Sequence, residues 1–147
     1  MVRIKQQVHY YETDKMGVVH HSNYIRWMED ARLAWLDEIG MPYAAAEARG
    51  VVCPVVAVDC QYKKPTFFGD TVEIEIHCTM YNGIRLNYAY TIRDGLGDVV
   101  ATGSSRHCFQ QVNSVRPVQV AQKWPDLNVY LMRAVEADRL EQEGLPK

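Results

Sequence analysis

One long amphipathic segment constrains the fold of this chain more than any other feature of the sequence. Its apolar side chains recur at spacings of three and four, at Tyr24, Trp27, Met28, Ala31, Ala34, Trp35 and Ile39. This period predicts a helix that runs to about Ile39 and begins at Ser22 or Asn23, either of which can cap its first free N–H groups. Gly40 and Pro42 would end it. A stripe that carries two tryptophans can be buried only against the face of a sheet.

The rest of the sequence supplies that sheet. Residues 2 to 11 alternate polar with apolar side chains. The same period of two returns in four later runs, at Val56, Val58, Cys60 and Tyr62, at Val72, Ile74 and Ile76, at Ile84, Leu86, Tyr88, Tyr90 and Ile92, and at Val99 and Ala101. These runs predict five strands. Asn82-Gly83 and the four residues from Asp94 to Gly97 are hairpin signals, so the last three strands should form an antiparallel meander. The predicted fold class is α+β, with a mostly antiparallel sheet and one long helix.

The length of 147 residues fits one domain, 1–147, with a core of about 2–117 and a C-terminal extension of about 118–147. A short second helix is plausible from Tyr43 to Arg49. The interval from Asn128 to Leu140 has enough helical character for a terminal helix.

Composition excludes several classes of function. The 16 basic and 18 acidic residues are scattered along the chain, which argues against nucleic acid as a partner. No apolar run approaches the roughly 18 to 20 residues of a membrane helix, so we expect no membrane insertion and a cytoplasmic location. Cys53, Cys60, Cys78 and Cys108 form no close pair and are expected to be buried free thiols. The histidines follow no recognised ligand spacing, so neither a metal nor a cofactor is expected.

The stretch from Tyr10 to Tyr24 carries the chemistry. It joins a strand end, the carboxylate of Asp14, a glycine at position 17 and the start of the long helix. Gly17 lets the backbone turn, so that a carboxylate on the entering loop can face the first turn of the helix. A helix N-terminus offers unpaired N–H groups that can hold a developing oxyanion. A thioester needs little more, because a thiolate leaves without strong acid assistance, and the carboxylate can attack the carbonyl or deprotonate a water that does.

The pattern T-D-x-x-G-V-V-x-H-x-x-Y, followed by E-x-A-R, resembles the 4-hydroxybenzoyl-CoA thioesterase family of hotdog proteins. The nearest branch is the bacterial short-chain acyl-CoA thioesterases of the Tol-Pal-associated type. The resemblance covers about Val8 to Pro117 and agrees with the order of elements read from the periodicity. It implies a hotdog fold, in which the five-stranded sheet wraps around one long central helix, and an acyl-CoA substrate.

Carried over by position, the resemblance implies that Asp14 is the nucleophile or general base and that the backbone N–H of His21 binds the thioester carbonyl. Gly17 would shape the loop, and Tyr24 and His20 would contact the substrate. Family members are dimers or tetramers that join sheets edge to edge, with active sites at the subunit interface. Arg85, Arg106 and Arg116 are candidates for the CoA phosphates only by their charge and their expected loop or edge positions. Lys15-Met16 stands where the family often has small residues.

Other interpretations stay open from the sequence alone. Asp14 could simply cap the turn that follows it. His20 and His21 keep a hydratase or dehydratase possible on the same fold, and a non-catalytic acyl-CoA-binding or scaffold module is a rival from another class. Trp27 and Trp35 could belong to the core or line an acyl pocket. Glu29 and Arg32 could form a surface pair, whereas the resemblance suggests a subunit contact.

Overall fold

The computed structural model describes residues 1–41 and 43–144. The strands are β1 (Val2–Gln7), β2 (Val51–Val52), β3 (Val55–Tyr62), β4 (Thr71–Tyr81), β5 (Arg85–Arg93), β6 (Val99–Cys108) and β7 (Gln110–Gln111). The helices are α1 (Ser22–Glu38), α2 (Tyr43–Ala48), α3 (Val120–Lys123) and α4 (Pro125–Gln142). Pro42, expected to help end the long helix, lies outside the described residues. The predicted α+β class, with one long helix after the first strand, is confirmed.

Five strands form one antiparallel sheet in the order β1-β4-β5-β6-β3. The predicted meander is confirmed, because β4 pairs with β5 and β5 with β6. Both hairpin signals lie in the connections, where Gly83 and Gly97 adopt φ angles of 94° and 85°. The short β2 and β7 pair separately and were not predicted from the sequence.

Helix α1 packs its apolar stripe on one face of this sheet, as expected of a hotdog fold. Trp27 and Trp35 are each 1% exposed and belong to the core cluster. The helix lies close to the sheet at Gly103 of β6, where a Cβ added to the glycine would lie 2.5 Å from the terminal methyl carbon of Met28. Glycine therefore sets the local spacing between helix and sheet.

The C-terminal segment packs into the same core. Val118, Val120, Trp124, Leu127 and Leu131 are all buried in it. The terminal helix was predicted for Asn128 to Leu140, and α4 begins slightly earlier, with Pro125 in its first turn. Asp138 of α4 is buried and accepts hydrogen bonds from Trp35 Nε1 at 3.0 Å and from the Cys78 N–H at 2.7 Å. Three of the four cysteines are buried, whereas Cys60 is only half-buried.

Two local predictions were wrong. The first strand ends at Gln7 rather than near residue 11, and residues 10 to 12 form a turn of 3₁₀ helix that leaves Tyr10 77% exposed. The physical reason is Glu12, which is buried and accepts a hydrogen bond from the His9 N–H at 2.8 Å. Neither Ser22 nor Asn23 caps α1 through its side chain, because His21 occupies the cap position and the ring of His20 accepts the Ser22 N–H at 3.2 Å.

Candidate active site

The loop between the 3₁₀ turn and α1 holds Asp14 in a tight turn. One carboxylate oxygen, Oδ1, accepts hydrogen bonds from the N–H groups of Met16 at 2.8 Å and Val18 at 3.3 Å. Gly17 has a φ of 76°, a conformation that strains residues with a Cβ. The capping role considered for Asp14 is therefore real, but it uses one oxygen only. Within residues 1–41 and 43–144, no group donates to Oδ2, and the side chain is exposed.

The start of α1 leaves a backbone donor free. His20 secures the first turn, since its carbonyl accepts the Asn23 N–H at 3.0 Å and its Nδ1 lies 2.9 Å from the Ser22 hydroxyl. The His21 N–H has no acceptor in the part of the chain that the structure describes. A free N–H at the positive end of a 17-residue helix is suited to bind a partly negative oxygen.

Glu12 fastens the Asp14 loop to the helix. Its Oε2 accepts the Trp27 Nε1–H at 2.8 Å, and its backbone carbonyl accepts the His20 N–H at 2.9 Å and the Asn23 side-chain N–H at 2.8 Å. Because Glu12 is two residues from Asp14, these bonds hold the carboxylate loop and the helix start in a fixed relation. Glu12 was not among the predicted site residues. Its sequence signal is only its position two residues before Asp14, because the contact with Trp27 forms only in the folded chain.

A cavity of about 390 Å³ lies between these elements. The residues that line it are Asp14, Val18, Val19, His20, His21, Tyr24, Tyr62, Lys63, Lys64 and Pro65. The structure thus brings together four predicted site residues, Asp14, His20, His21 and Tyr24. It adds a segment from the end of β3 that the sequence analysis missed, because that segment begins 41 residues after His21 in the chain.

Two tyrosines define the aromatic wall of the cavity. Tyr24 is buried and its hydroxyl lies 2.7 Å from the Thr66 hydroxyl, and burial raises the pKa of Tyr24. Tyr62 donates its hydroxyl hydrogen to the His21 carbonyl at 2.9 Å. Desolvation raises the pKa of Tyr62 to about 12. Both phenols therefore stay protonated at neutral pH.

Two lysines line the cavity, and within the described part of the chain only one of them is paired with a carboxylate. Lys64 pairs with Asp98 at 2.9 Å, and this hydrogen bond raises the pKa of its ammonium group. The ammonium group of Lys63 has no partner among the residues in the described ranges. Lys15 and Met16, which stand where the family often has small residues, are exposed on the Asp14 loop.

The three arginines proposed for phosphate binding lie elsewhere on the chain. Arg106 is five residues beyond Ala101, the partner of Tyr62 on β6, which is about 17 Å along a strand. Arg85 begins β5 opposite Cys108, and Arg116 lies in the loop after β7. None of them lines the cavity that contains Asp14. A contact with phosphate through these residues stays a prediction.

The predicted pair of Glu29 and Arg32 forms, but not as a surface pair. Arg32 is 5% exposed, its Nε donates to Glu29 at 3.2 Å, and its Nη1 donates to the Cys53 carbonyl at 3.1 Å.

In residues 1–41 and 43–144, no cluster of three His, Cys, Asp or Glu side chains could hold a metal ion. The same residues contain no helix that is long and apolar enough to span a membrane.

The long helix on a five-stranded antiparallel sheet, with a carboxylate loop facing the helix start, defines a hotdog protein with a candidate acyl-transfer site. Residues 8–133 match the family described as the thioesterase-like superfamily. The chain belongs to this superfamily.

Three similar proteins illustrate the range of the superfamily. The putative acyl-CoA thioesterase YneP of Bacillus subtilis is 37% identical over 120 residues, which are 82% of this chain and 87% of YneP. A solved structure described as DHNA-CoA thioesterase from Staphylococcus aureus superposes with a TM-score of 0.89 at 30% identity, covering 99% of this chain and 95% of that one. The acyl-CoA thioester hydrolase YbgC of Escherichia coli is 30% identical over 58% of this chain and 64% of its own length. The predicted hotdog fold is thereby confirmed.

Proposed function

We propose that this protein is an acyl-CoA thioesterase in which Asp14 and the His21 N–H act on the two sides of the same carbonyl. The observation that carries the proposal is that both line one cavity and each has a free group. Oδ2 of Asp14 and the N–H of His21 have no hydrogen-bond partner among the described residues. Membership of the thioesterase-like superfamily and the activities for which YneP and YbgC are named support it.

The chemistry follows from these two groups. Either the Asp14 carboxylate attacks the thioester carbon, or it takes a proton from a water molecule that attacks. In both routes the carbonyl oxygen gains negative charge, which the His21 N–H stabilises, by about 3 to 4 kcal/mol if it resembles other oxyanion donors. The C–S bond then breaks and CoA leaves as a thiolate. In the first route this leaves the acyl group bonded to the Asp14 oxygen, and water hydrolyses that bond to give the free acid and the carboxylate; in the second route the attacking water itself supplies the oxygen of the free acid.

The substrate carries phosphates, and Lys63 is placed to meet them. Lys63 lines the cavity, and no described residue pairs with its ammonium group. The names of the relatives do not fix the acyl group, since YneP is called a putative acyl-CoA thioesterase, YbgC an acyl-CoA thioester hydrolase and the S. aureus structure a DHNA-CoA thioesterase. Within the family we favour the Tol-Pal-associated branch of the 4-hydroxybenzoyl-CoA group, on the motif that begins at Thr13.

The active form is proposed to be a homodimer or homotetramer joined through β3. This edge strand exposes Val55, Val56 and Val58, at 48%, 55% and 42%. Antiparallel pairing of two β3 edges around a two-fold axis would bring the Arg106 end of one sheet toward the Tyr62 end of its partner. We also propose a cytoplasmic location, where four unpaired thiols would stay reduced.

The experiment that tests this function is the substitution Asp14→Asn. The amide oxygen of Asn can still accept the Met16 and Val18 N–H groups, so the turn is kept while the basic oxygen is lost. We expect the rate of thiol release to fall by about 10²- to 10⁴-fold. The substrates are short, long and aromatic acyl-CoAs and acyl groups carried on acyl carrier protein. The matched control is Asp37→Asn on the exposed side of α1, which should keep the wild-type rate.

Three outcomes would contradict the proposal. The first is an Asp14→Asn variant that folds and hydrolyses its best substrate within a few fold of wild type. The second is hydration of an enoyl-CoA, measured as loss of conjugation, without release of thiol. The third is tight binding of CoA esters without turnover of any of them, which would indicate a binding module.

A further inference from the structure

We infer that Tyr62 is a positioning residue that sets the direction of the His21 N–H toward the thioester carbonyl. The inference deepens the proposed function and rests on it. Tyr62 comes from β3, whereas His21 stands at the start of α1, so the two meet only in the folded chain.

The contact between them is direct and polar. The Tyr62 hydroxyl donates to the His21 carbonyl at 2.9 Å. The two rings meet edge to face, with centroids 6.3 Å apart at 83°, and the Tyr62 ring meets the Tyr24 ring in the same way at 5.1 Å. Tyr62 therefore fixes the peptide unit on the C-terminal side of the His21 Cα, directly next to the His21 N–H, and its ring contacts the His21 ring.

The strand end that carries Tyr62 is itself well anchored. Tyr62 pairs with Ala101 of β6, and the N–H groups of Lys63 and Lys64 both donate to the Val100 carbonyl, at 2.8 and 3.2 Å. Two residues further on, Thr66 is fully buried and its hydroxyl lies 2.7 Å from that of Tyr24. The tyrosine thus transmits the fixed position of the sheet to the first turn of the helix.

His21 needs such support because its own side chain does not supply it. It makes no side-chain cap bond, and its ring is exposed beside that of His20, with centroids 4.1 Å apart. Helix ends are the parts of a helix that fray most readily, since their backbone groups lack intrahelical partners. A shift of about 1 Å in a reacting group can cost about 100-fold in rate, so a modest change at His21 would be measurable.

Tyr62 is assigned to positioning rather than to contact with the reacting carbonyl. Its hydroxyl hydrogen is already donated to His21, and the raised pKa keeps that hydrogen in place at neutral pH. Loss of the hydroxyl should therefore slow the step at the carbonyl equally for all acyl groups. A residue that merely lined the acyl pocket would change the affinity for some acyl groups and not for others.

The experiment is Tyr62→Phe, which removes one oxygen and keeps the ring. We expect kcat to fall by about tenfold, with KM within about twofold of wild type and the same factor for short, long and aromatic acyl-CoAs. The matched control is Tyr81→Phe, whose hydroxyl donates to Asn128 Oδ1 at 2.7 Å and does not line the cavity. This variant should lose no activity. Thermal unfolding of both variants checks that each is folded.

A second measurement reports on the carbonyl without turnover. In an Asp14→Asn background, a thioester with a ¹³C-labelled carbonyl can be bound intact and its stretching frequency recorded by infrared difference spectroscopy. A hydrogen bond from His21 lowers this frequency, and we expect the added Tyr62→Phe change to return it toward the value in solution. This measurement reads the His21 hydrogen bond in the bound ground state, so it does not depend on which step limits turnover.

The inference is overturned if Tyr62→Phe keeps the wild-type kcat, if its effect is on KM alone, or if the carbonyl frequency is the same in both variants. These results are distinct from failure of the proposed function. That failure appears as a wild-type protein that releases no thiol or as a fully active Asp14→Asn variant, and it would remove the basis of this inference as well.

Discussion

At the scale of single residues, a buried chain of hydrogen bonds crosses the core beside α1. The Tyr90 hydroxyl lies 2.7 Å from the Ser105 hydroxyl, which lies 2.7 Å from Nε2 of His107. His107 is 1% exposed, and its Nδ1 has no partner that meets hydrogen-bond geometry among the described residues. Burial, reinforced by the positive charge of Arg32, lowers the pKa of His107 to about 4. The imidazole is therefore neutral in the folded protein at any pH near 7.

This neutral histidine predicts a dependence of stability on pH. Unfolding returns the ring to an ordinary pKa of about 6.5, so between pH 6.5 and about 4 the unfolded state binds the extra proton. The contribution of His107 is complete above pH 6.5 and is lost as the pH falls toward 4, by up to about 3 kcal/mol. We expect the free energy of unfolding in urea to drop less between pH 7 and 4.5 in His107→Gln than in wild type.

The control for this prediction is His9→Gln, because His9 is exposed and stacks on Tyr11. It should keep the wild-type loss of stability on acidification. Carboxylates that titrate over the same range are common to all three proteins and cancel in the comparison. An equal loss in wild type and His107→Gln would contradict the assignment.

At the scale of elements, sequence periodicity correctly predicted the helices and strands whose apolar residues repeat at a regular spacing. The stripe on α1 and the alternation in β4 and β5 recur over several turns or pairs, so each repeat reinforces the others. The end of β1 was predicted too late in the sequence. The reason is that Glu12 is buried and accepts a hydrogen bond from Trp27, which lies on a different element. Asp14, His20, His21 and Tyr24 could be grouped because they are close in sequence. Tyr62 and Lys63 could not, because only the fold brings the end of β3 to the start of α1.

The packing of α1 on the sheet depends on Gly103, which leads to a prediction at this scale. An added Cβ would lie 2.5 Å from the Asp59 carbonyl oxygen on the neighbouring strand, as well as 2.5 Å from the Met28 methyl carbon. The methionine can move, but the strand backbone cannot do so cheaply. We expect Gly103→Ala to lower the free energy of unfolding by about 1 to 3 kcal/mol, the usual cost of overpacking.

Chemical denaturation measures this cost, with Gly95→Ala as the matched control. The nearest atom to a Cβ at Gly95 is the Thr71 carbonyl oxygen at 3.8 Å, which is an ordinary contact. The control should stay within about 0.5 kcal/mol of wild type. Comparable stabilities for the two variants would mean that the space between Met28 and the Asp59 backbone can accommodate a Cβ at position 103.

At the scale of the whole molecule, the exposed edge of β3 leads back to the proposed assembly. Natural proteins protect edge strands with charges, prolines or cover, yet this one exposes three valines over its first four residues. The same strand ends at Tyr62, in the wall of the candidate active site. Pairing of two such edges would cover the valines and complete the cavity with groups from a second subunit.

The last prediction is that a lysine introduced at the exposed edge of β3 disrupts the assembly of subunits without unfolding the subunit. Val56 is 55% exposed at the irregular start of β3, so Val56→Lys should leave the monomer folded but place an unpaired charge in the contact between subunits. We expect sedimentation velocity to show a dimer or tetramer for wild type and a smaller species for the variant, with kcat/KM reduced by about tenfold or more. Val129→Lys, on the exposed side of α4 at 43%, is the matched control and should change neither quantity. A wild-type protein that is fully active as a monomer, or a Val56→Lys variant that keeps both its assembly and its rate, would show that β3 is not the contact that completes the site.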